Sequence, residues 1–454
     1  MSRQQRPVSI WSPEYVWTTA GAVALIFLAA FESLAVTTVM PVVSEDLNGA
    51  SLYSVAFAGT MAASVIGMIV VGIWCDRARP LWPVATAVIV FVAGLVIAGV
   101  ATEMPTLVVG RLVQGLGGGG ETVALYVVVA RAYPAALHGR VFAAFSAAWV
   151  VPSLIGPFLA GFVADQLHWR WVFLGVAVLT GLAFVMVFAR LRTIGGPTER
   201  ASNEGIAGRV AAAVVVAVAA TALSMLGDWN LPAPVLVIGA LLLLVLIAVV
   251  VRPLIPVGTL RARPGLPSVV SMRGLIAAAM LGAEVYVPYV LREDYGFTPT
   301  LAGLGLTGGA ILWSLSSELQ GRFGDRVGNR RTALIGLTIL AASIGAVALV
   351  ALVTAPAWLI IVAWTAAGAG MGFMYPRLSV LGLAYSTPQT QGFVSSSLTI
   401  ADSLTTASAI AIFGLIVALG GGFPAVFAFA MILALVAFIP GTRLGHIRET
   451  TSNG

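Results

Sequence analysis

The chain has 454 residues, of which 59% are hydrophobic and only 9% charged, with a formal net charge of +6. A water-soluble domain carries about a quarter charged residues, so this composition excludes a water-soluble fold and makes lipid the main solvent. The single cysteine, Cys75, excludes an intrachain disulfide framework and a multi-cysteine metal site.

Apolar runs long enough to cross a hydrocarbon core of roughly 30 Å recur along the whole chain. The first six lie at 17–43, 51–75, 82–102, 105–131, 139–165 and 169–190, followed by a polar linker over 191–208. The opening run is too long for a signal peptide and lacks a small-residue cleavage site. Two more runs, 209–227 and 233–252, lead into a Pro- and Arg-containing linker over 253–267. The last six are 268–291, 299–321, 331–354, 356–384, 391–419 and 423–441, with a tail over 442–454. The expected architecture is an all-α polytopic membrane protein of fourteen spans. It has a six-helix bundle over 1–190, two additional transmembrane helices over 209–252 and a second six-helix bundle over 268–441.

All 24 basic residues are arginine. They are spread over short loops instead of one patch, which argues against a nucleic-acid partner. With the N-terminus placed in the cytoplasm, Arg170 and Arg292 fall outside and Arg111 and Arg377 fall within spans. The remaining twenty of the 24, Arg273 among them, are then cytoplasmic, as the positive-inside rule requires. Both termini are expected in the cytoplasm, with the chain in the plasma (inner) membrane.

The two sets of six share a pattern. After the second span the chain reads Gly72-Ile-Trp-Cys-Asp76-Arg77, and after the tenth Gly321-Arg-Phe-Gly-Asp325-Arg326. The fourth span carries Gln114-Gly115-Leu-Gly117, and the twelfth Ala367-Gly368-Ala-Gly370. Such repeats suit carriers whose two bundles rock about a central site, although channels repeat too.

Charged side chains within the membrane ask for a reason, since each costs about 2.5–3.5 kcal/mol at mid-depth. Glu32 lies near the middle of the first span, and Glu284 lies in the ninth, four residues before Pro288. Pro288 frees a backbone carbonyl and can open a bend beside that carboxyl. Both glutamates are candidates to gain and lose a proton; the alternative is a hydrogen-bonded packing role. Glu121 and Asp402 are further candidates, Asp402 within a Ser/Thr-rich stretch that could satisfy it structurally. Glu121 is ten residues from Arg111, about 280° round the helix, so the two do not share a face. Glu318 and Arg377 read as a structural network. No histidine joins these charges, which argues against a histidine relay and against an intramembrane metal enzyme. Asp76-Arg77 and Asp325-Arg326 sit at helix ends, where ion pairs and helix dipoles can hold one face closed. Tyr126, Trp149, Tyr286, Tyr289, Trp313 and Trp364 lie near the charges, and an aromatic cavity with a carboxylate would suit a lipophilic cation.

Several of these stretches resemble the major facilitator superfamily. GIWCDRAR and GRFGDRVGNRR are similar to its loop motif, and RLVQGLGGGG, with Arg111, Gln114 and Gly115, to its fourth-helix motif. Pro152-Ser-Leu-Ile-Gly156-Pro157-Phe-Leu-Ala160-Gly161 resembles the Gly-Pro motif of drug–proton antiporters, with Pro152 and Ala160 where glycines are usual. Trp169-Arg170-Trp171-Val-Phe173 resembles the run opening the sixth helix of the fourteen-span drug antiporters.

The resemblance implies a major facilitator fold and proton-coupled multidrug efflux by alternating access. It assigns Arg111 to biasing a nearby carboxyl, with a structural ion pair to one of the glutamates as the alternative, Gln114 to the substrate cavity, and Gly72, Asp76, Arg77, Gly321, Asp325 and Arg326 to the gates. It implies no cofactor beyond the proton gradient. The expected partners are a small amphipathic compound, protons and the lipid bilayer, for a monomer. Export of a specific lipid or endogenous metabolite is the alternative; a channel or a membrane-embedded enzyme is more remote, since no nucleophile–base set converges.

Overall fold

The computed structural model describes residues 9–49, 52–197, 204–226, 231–297, 301–302 and 305–444. Two side chains assigned to motifs, Pro157 and Asp325, lie outside the described residues, although their backbones are helical.

The N-terminal set comprises α1 (Val16–Asp46), α2 (Tyr53–Cys75), α3 (Leu81–Gly99), α4 (Met104–Ala132), α5 (Ala135–Ala147), α6 (Val150–Gln166) and α7 (Arg170–Leu191). Then come α8 (Ile206–Met225) and α9 (Ala233–Val250). The C-terminal set is α10 (Leu266–Glu284), α11 (Tyr286–Glu293), α12 (Thr307–Val327), α13 (Asn329–Leu352), α14 (Trp358–Ala384), α15 (Gln391–Ala418), α16 (Gly422–Val436) and α17 (Phe438–Thr442). No strand occurs among the described residues. Helices are what lipid demands, because they satisfy every backbone polar group internally.

Twelve helical segments among the described residues are long and apolar enough to cross a membrane, or thirteen if a bent pair counts as one span. The bent pair is 135–153 and 158–166, whose axes turn by 49° across the stretch holding Gly156 and Pro157. The expected count of fourteen is not reached, because α12 is not among these segments. That helix carries Glu318, Arg322 and Arg326, and these charges interrupt its apolar residues.

The repeat in sequence is a repeat in packing. In the N-terminal set α4 packs on α2 and α3; in the C-terminal set α14 packs in the same way on α12 and α13. Small residues make this possible. A Cβ on Gly115 or Gly119 would run into the backbone carbonyls of Thr60 and Ser64 on α2. One on Gly368 or Gly372 would meet the carbonyls of Gly309 and Trp313 on α12. Glycines four apart therefore strip one helix face down to backbone, so that van der Waals contact between main chains replaces side-chain interdigitation.

The cores form two apolar clusters. One is built from the N-terminal set around Leu25, Phe91, Leu107 and Phe173. The other joins the C-terminal set to α8, α9 and the Val65, Met68, Ile69 and Ile73 face of α2. Helix α8 packs on α2 and also reaches α15, so it lies along the seam between the sets. Helix α9 buries Ala240 and Ile247 and exposes Leu241, Leu242 and Val245, a nearly all-apolar surface that fits hydrocarbon.

Candidate functional site

Helix α1 brings Glu32, and α4 brings Arg111, to an ion pair of 2.5 Å. Each residue is 5% exposed. The same Arg111 Nη1 donates to Gln114 Oε1 at 2.8 Å, one helical turn on. Among the described residues, Arg111 Nε has no hydrogen-bond partner. A buried pair of this kind gains little net stability, yet removing one partner leaves an uncompensated charge and costs about 3–5 kcal/mol. The charge of Glu32 is thereby tied to Arg111 and to helix α4. Glu121, elsewhere on α4, is 2% exposed, and its Oε2 has no hydrogen-bond partner among the described residues.

Glu284 is the last residue of α10, and the helix restarts at Tyr286 as α11. The break follows from Pro288, which has no N–H to give to the carbonyl four residues earlier. Tyr286 donates to the Ile410 carbonyl at 3.2 Å and packs edge-on against Phe413. Tyr289 follows it, its ring 6.3 Å away and 51% exposed. Glu284 is half-buried, and these two tyrosines stand beside it on the interrupted helix.

Asp402 on α15 does not stand alone. Arg273 on α10 donates through Nε to Asp402 Oδ2 at 2.8 Å and Oδ1 at 3.1 Å, and Tyr375 donates to Oδ2 at 2.7 Å. Arg273 also bonds Ser379 Oγ and, at 3.1 Å, the Tyr126 hydroxyl. The expectation that Arg273 belongs with the loop arginines is corrected here: it is 0% exposed and inside α10. It already lay five residues inside the span 268–291, and that position, a charge within an apolar run, was the signal for it.

The aromatic assignments divide. Trp149, 49% exposed, stands between α5 and α6, and Trp313 meets Tyr375 edge-on at 5.5 Å. Trp364 is wholly buried against Phe427, so it is a core residue and not a cavity wall. Tyr126, 8% exposed, is likewise held by Phe142, Phe145 and Arg273. Gln114 is 1% exposed and committed to Arg111. In the Gly-Pro stretch Pro152 and Gly156 are buried, and a Cβ on Gly156 would meet Phe31 at an ordinary 3.7 Å. A Cβ on Gly161 would meet no atom of the described residues within 4 Å, so no helix packs closely at that position among them. Glu318 pairs with Arg322 at 2.7 Å on the surface, while Arg377 donates to Asn329 at 2.8 Å.

The loop motif forms a closure between the two helix sets. Asp76 caps the start of α15, accepting N–H bonds from Gly392 at 2.6 Å and Phe393 at 2.9 Å. This is the place for it, because the first turn of a helix leaves N–H groups unpaired. Gly72 permits the approach: a Cβ there would lie 2.8 Å from the Gly392 carbonyl. Arg131, which the sequence did not single out, ties the carbonyls of Cys75 (2.9 Å) and Pro388 (2.8 Å) to Gln391 Oε1 (2.7 Å). Burial pushes the Asp76 carboxyl up to about 6, with the two N–H groups, Arg209 and Arg131 pulling the other way. Arg77 donates to its own helix at Ile73.

The second copy of the motif works differently. Gly321 lies against Gly139, its Cβ position 3.2 Å from that carbonyl, while Arg326 is exposed over Phe323. Among the described residues, the hydrogen bonds and glycine contacts that join the two sets lie toward this one face, the face of Asp76.

The comparisons with known proteins fit this geometry. The model of the Major Facilitator Superfamily matches residues 22–283 and 269–452. The multidrug efflux pump SdrM of Staphylococcus aureus (strain N315) is 23% identical over 380 residues, 82% of this chain and 83% of that protein. The multidrug transporter protein MdtP of Bacillus subtilis (strain 168) is 24% identical over 394 residues, 83% of this chain and 70% of its own length. In fold, the chain is similar to the human organic anion transporter MFSD10, with a TM-score of 0.70 and 13% identity, covering 94% of this chain and 99% of that one.

Proposed function

The chain belongs to the major facilitator superfamily, and from that premise we propose that it is a proton-coupled exporter of amphipathic compounds. The observation that carries the alternating-access part is the one-sided closure. Asp76 and Arg131 join the two helix sets at one face, as a carrier closed on that side and open toward the other requires. By the positive-inside rule the closed face is cytoplasmic, with both termini on that side. The substrate class is supported by the relatives named as multidrug pumps.

Proton coupling runs through carboxyls. Glu32 is the first, because its charge state decides whether Arg111 is paired. Glu284 is the second, at a helix break flanked by tyrosines. Asp402 and Glu121 are further members of the coupling set, the former already bound to Arg273. A membrane potential of 100 mV supplies about 2.3 kcal/mol per charge moved, enough for roughly fiftyfold accumulation. The driving force is the proton gradient, without a further cofactor.

The test is uptake of ethidium into energised inside-out vesicles, compared with Glu32→Gln and Glu284→Gln at matched amounts of folded protein. Glutamine keeps an acceptor for Arg111 while removing the titratable group. Gradient-driven accumulation should fall at least tenfold in each variant and vanish with an uncoupler. Wild-type uptake indifferent to the gradient would overturn proton coupling, and absence of uptake would redirect the substrate to a lipid or a dedicated metabolite.

A further inference from the structure

We propose that Arg273 is an inner latch, a positioning residue that holds the Asp76 face shut by gripping Tyr126 across the seam between the helix sets. The inference rests on the alternating-access reading and assigns a residue to it. Tyr126 then serves closure and not substrate contact.

Four observations converge on it. The Arg273 guanidinium is wholly buried, and its Nε and Nη1 are engaged by Asp402 and Ser379, both on the C-terminal set. Its Cζ lies 4.0 Å from the centre of the Tyr375 ring, whose hydroxyl also holds Asp402. Three C-terminal side chains thus fix the fork in position and orientation, leaving Nη2 to reach the Tyr126 hydroxyl at 3.1 Å on the other set. Tyr126 is fixed in its turn, edge-on to Phe142 at 4.8 Å and beside Phe145 at 6.5 Å.

Both members are therefore pre-organised by their own bundle. The bond between them links two bodies that must part if the face opens. Bonds within each body, such as Arg273 to Asp402, need not break. A guanidinium suits this task because its several donors serve separate partners at once. Depth supports the assignment. Tyr126 lies five residues before Arg131 on α4, or about 7.5 Å further into the membrane. It lies fifteen residues, or about 22 Å, from Arg111. The latch is a second tier, between the outer closure at Asp76 and Arg131 and the Glu32–Arg111 pair. A charge-assisted hydrogen bond is among the stronger ones, so its loss should shift an open–closed ratio by about tenfold.

The test is a pulsed spin-label distance measurement in lipid nanodiscs. Labels at Arg79 and Thr387, exposed positions on opposite sides of the seam, are placed in a Cys75→Ser background. Tyr126→Phe removes the acceptor by one atom and keeps the ring packed on Phe142. Arg273→Lys keeps the charge but cannot reach Asp402, Ser379 and Tyr126 together. Both variants should raise the ratio of long to short distances about tenfold over the parent. A parent that shows two distances, in proportions that neither variant changes, overturns the latch alone. One distance in parent and variants at every pH and substrate concentration overturns alternating access and the latch with it.

Discussion

A carboxylate that caps a helix in a neighbouring bundle makes the contact between the bundles depend on pH, and the sign can be read from its surroundings. Asp76 accepts two backbone N–H groups yet is only 2% exposed, and burial outweighs those bonds, so its carboxyl titrates at about 6 while the face is closed. With the face open, water restores a value near 3.9. The group's preference for the closed state is complete below the open-state value and is lost as pH rises through 6. The closed share, measured with the Arg79–Thr387 label pair, should therefore fall as pH rises from about 4 to about 7. The two-unit displacement corresponds to on the order of a hundredfold in the open–closed ratio. Asp76→Asn, which cannot ionise, should flatten that profile; a variant profile as steep as the parent's would assign the titration elsewhere. The loop motif and its Asp76 were legible in sequence as a helix-end charge. Its partners, Gly392 and Phe393, were not, because they lie more than 300 residues away along the chain.

At the scale of the element, glycine spacing separates tight helix pairs from loose ones. Gly119 of α4 lies against the Ser64 carbonyl with no room for a methyl group, whereas Gly161 of α6 has open space around it. Gly119→Ala should force α4 away from α2 and destabilise the protein by about 1–3 kcal/mol. Gly161→Ala should be neutral or slightly stabilising, since alanine is the better helix former. Thermal unfolding of the purified variants distinguishes the two; equal midpoints would remove the packing argument. A row of small residues in either stretch marks a face that can approach another helix, without saying whether one is there. The interruption at Glu284–Tyr286, by contrast, followed from the placement of Pro288 alone. That feature is local, and local chemistry decides it.

For the whole molecule, the two helix sets meet on the Asp76 face through backbone at Gly72–Gly392 and Gly139–Gly321. In the second pair a Cβ on Gly139 would lie 3.7 Å from the Gly321 Cα, an approach of the order that a disulfide needs between Cβ atoms, about 3.5–4.5 Å. In a Cys75→Ser background, Gly139→Cys with Gly321→Cys should cross-link on oxidation and arrest transport, and reductant should restore it. Transport that survives complete cross-linking would show that the sets need not part there. Helix α8 adds a constraint on the same motion. It shares a core with α2 and also touches α15, so opening must slide at least one of these contacts.

The sequence by itself determined that this is a helical membrane protein, where most of its spans lie, that its halves repeat, and which charges need an explanation within the membrane. Those properties follow from length, hydropathy and residue type, which act locally through desolvation and helix geometry. It did not determine the count to the last span, because α12 mixes charges with its apolar residues. Only the tertiary structure decided how the charges are used. Glu32 is paired with Arg111, 79 residues on, and Asp402 with Arg273, 129 residues back. Which cation a buried carboxylate meets is set by the packing of helices distant in sequence, and no spacing along one chain encodes it. Closure on one face, with Tyr126 held by Arg273, is likewise a property of how two bundles dock.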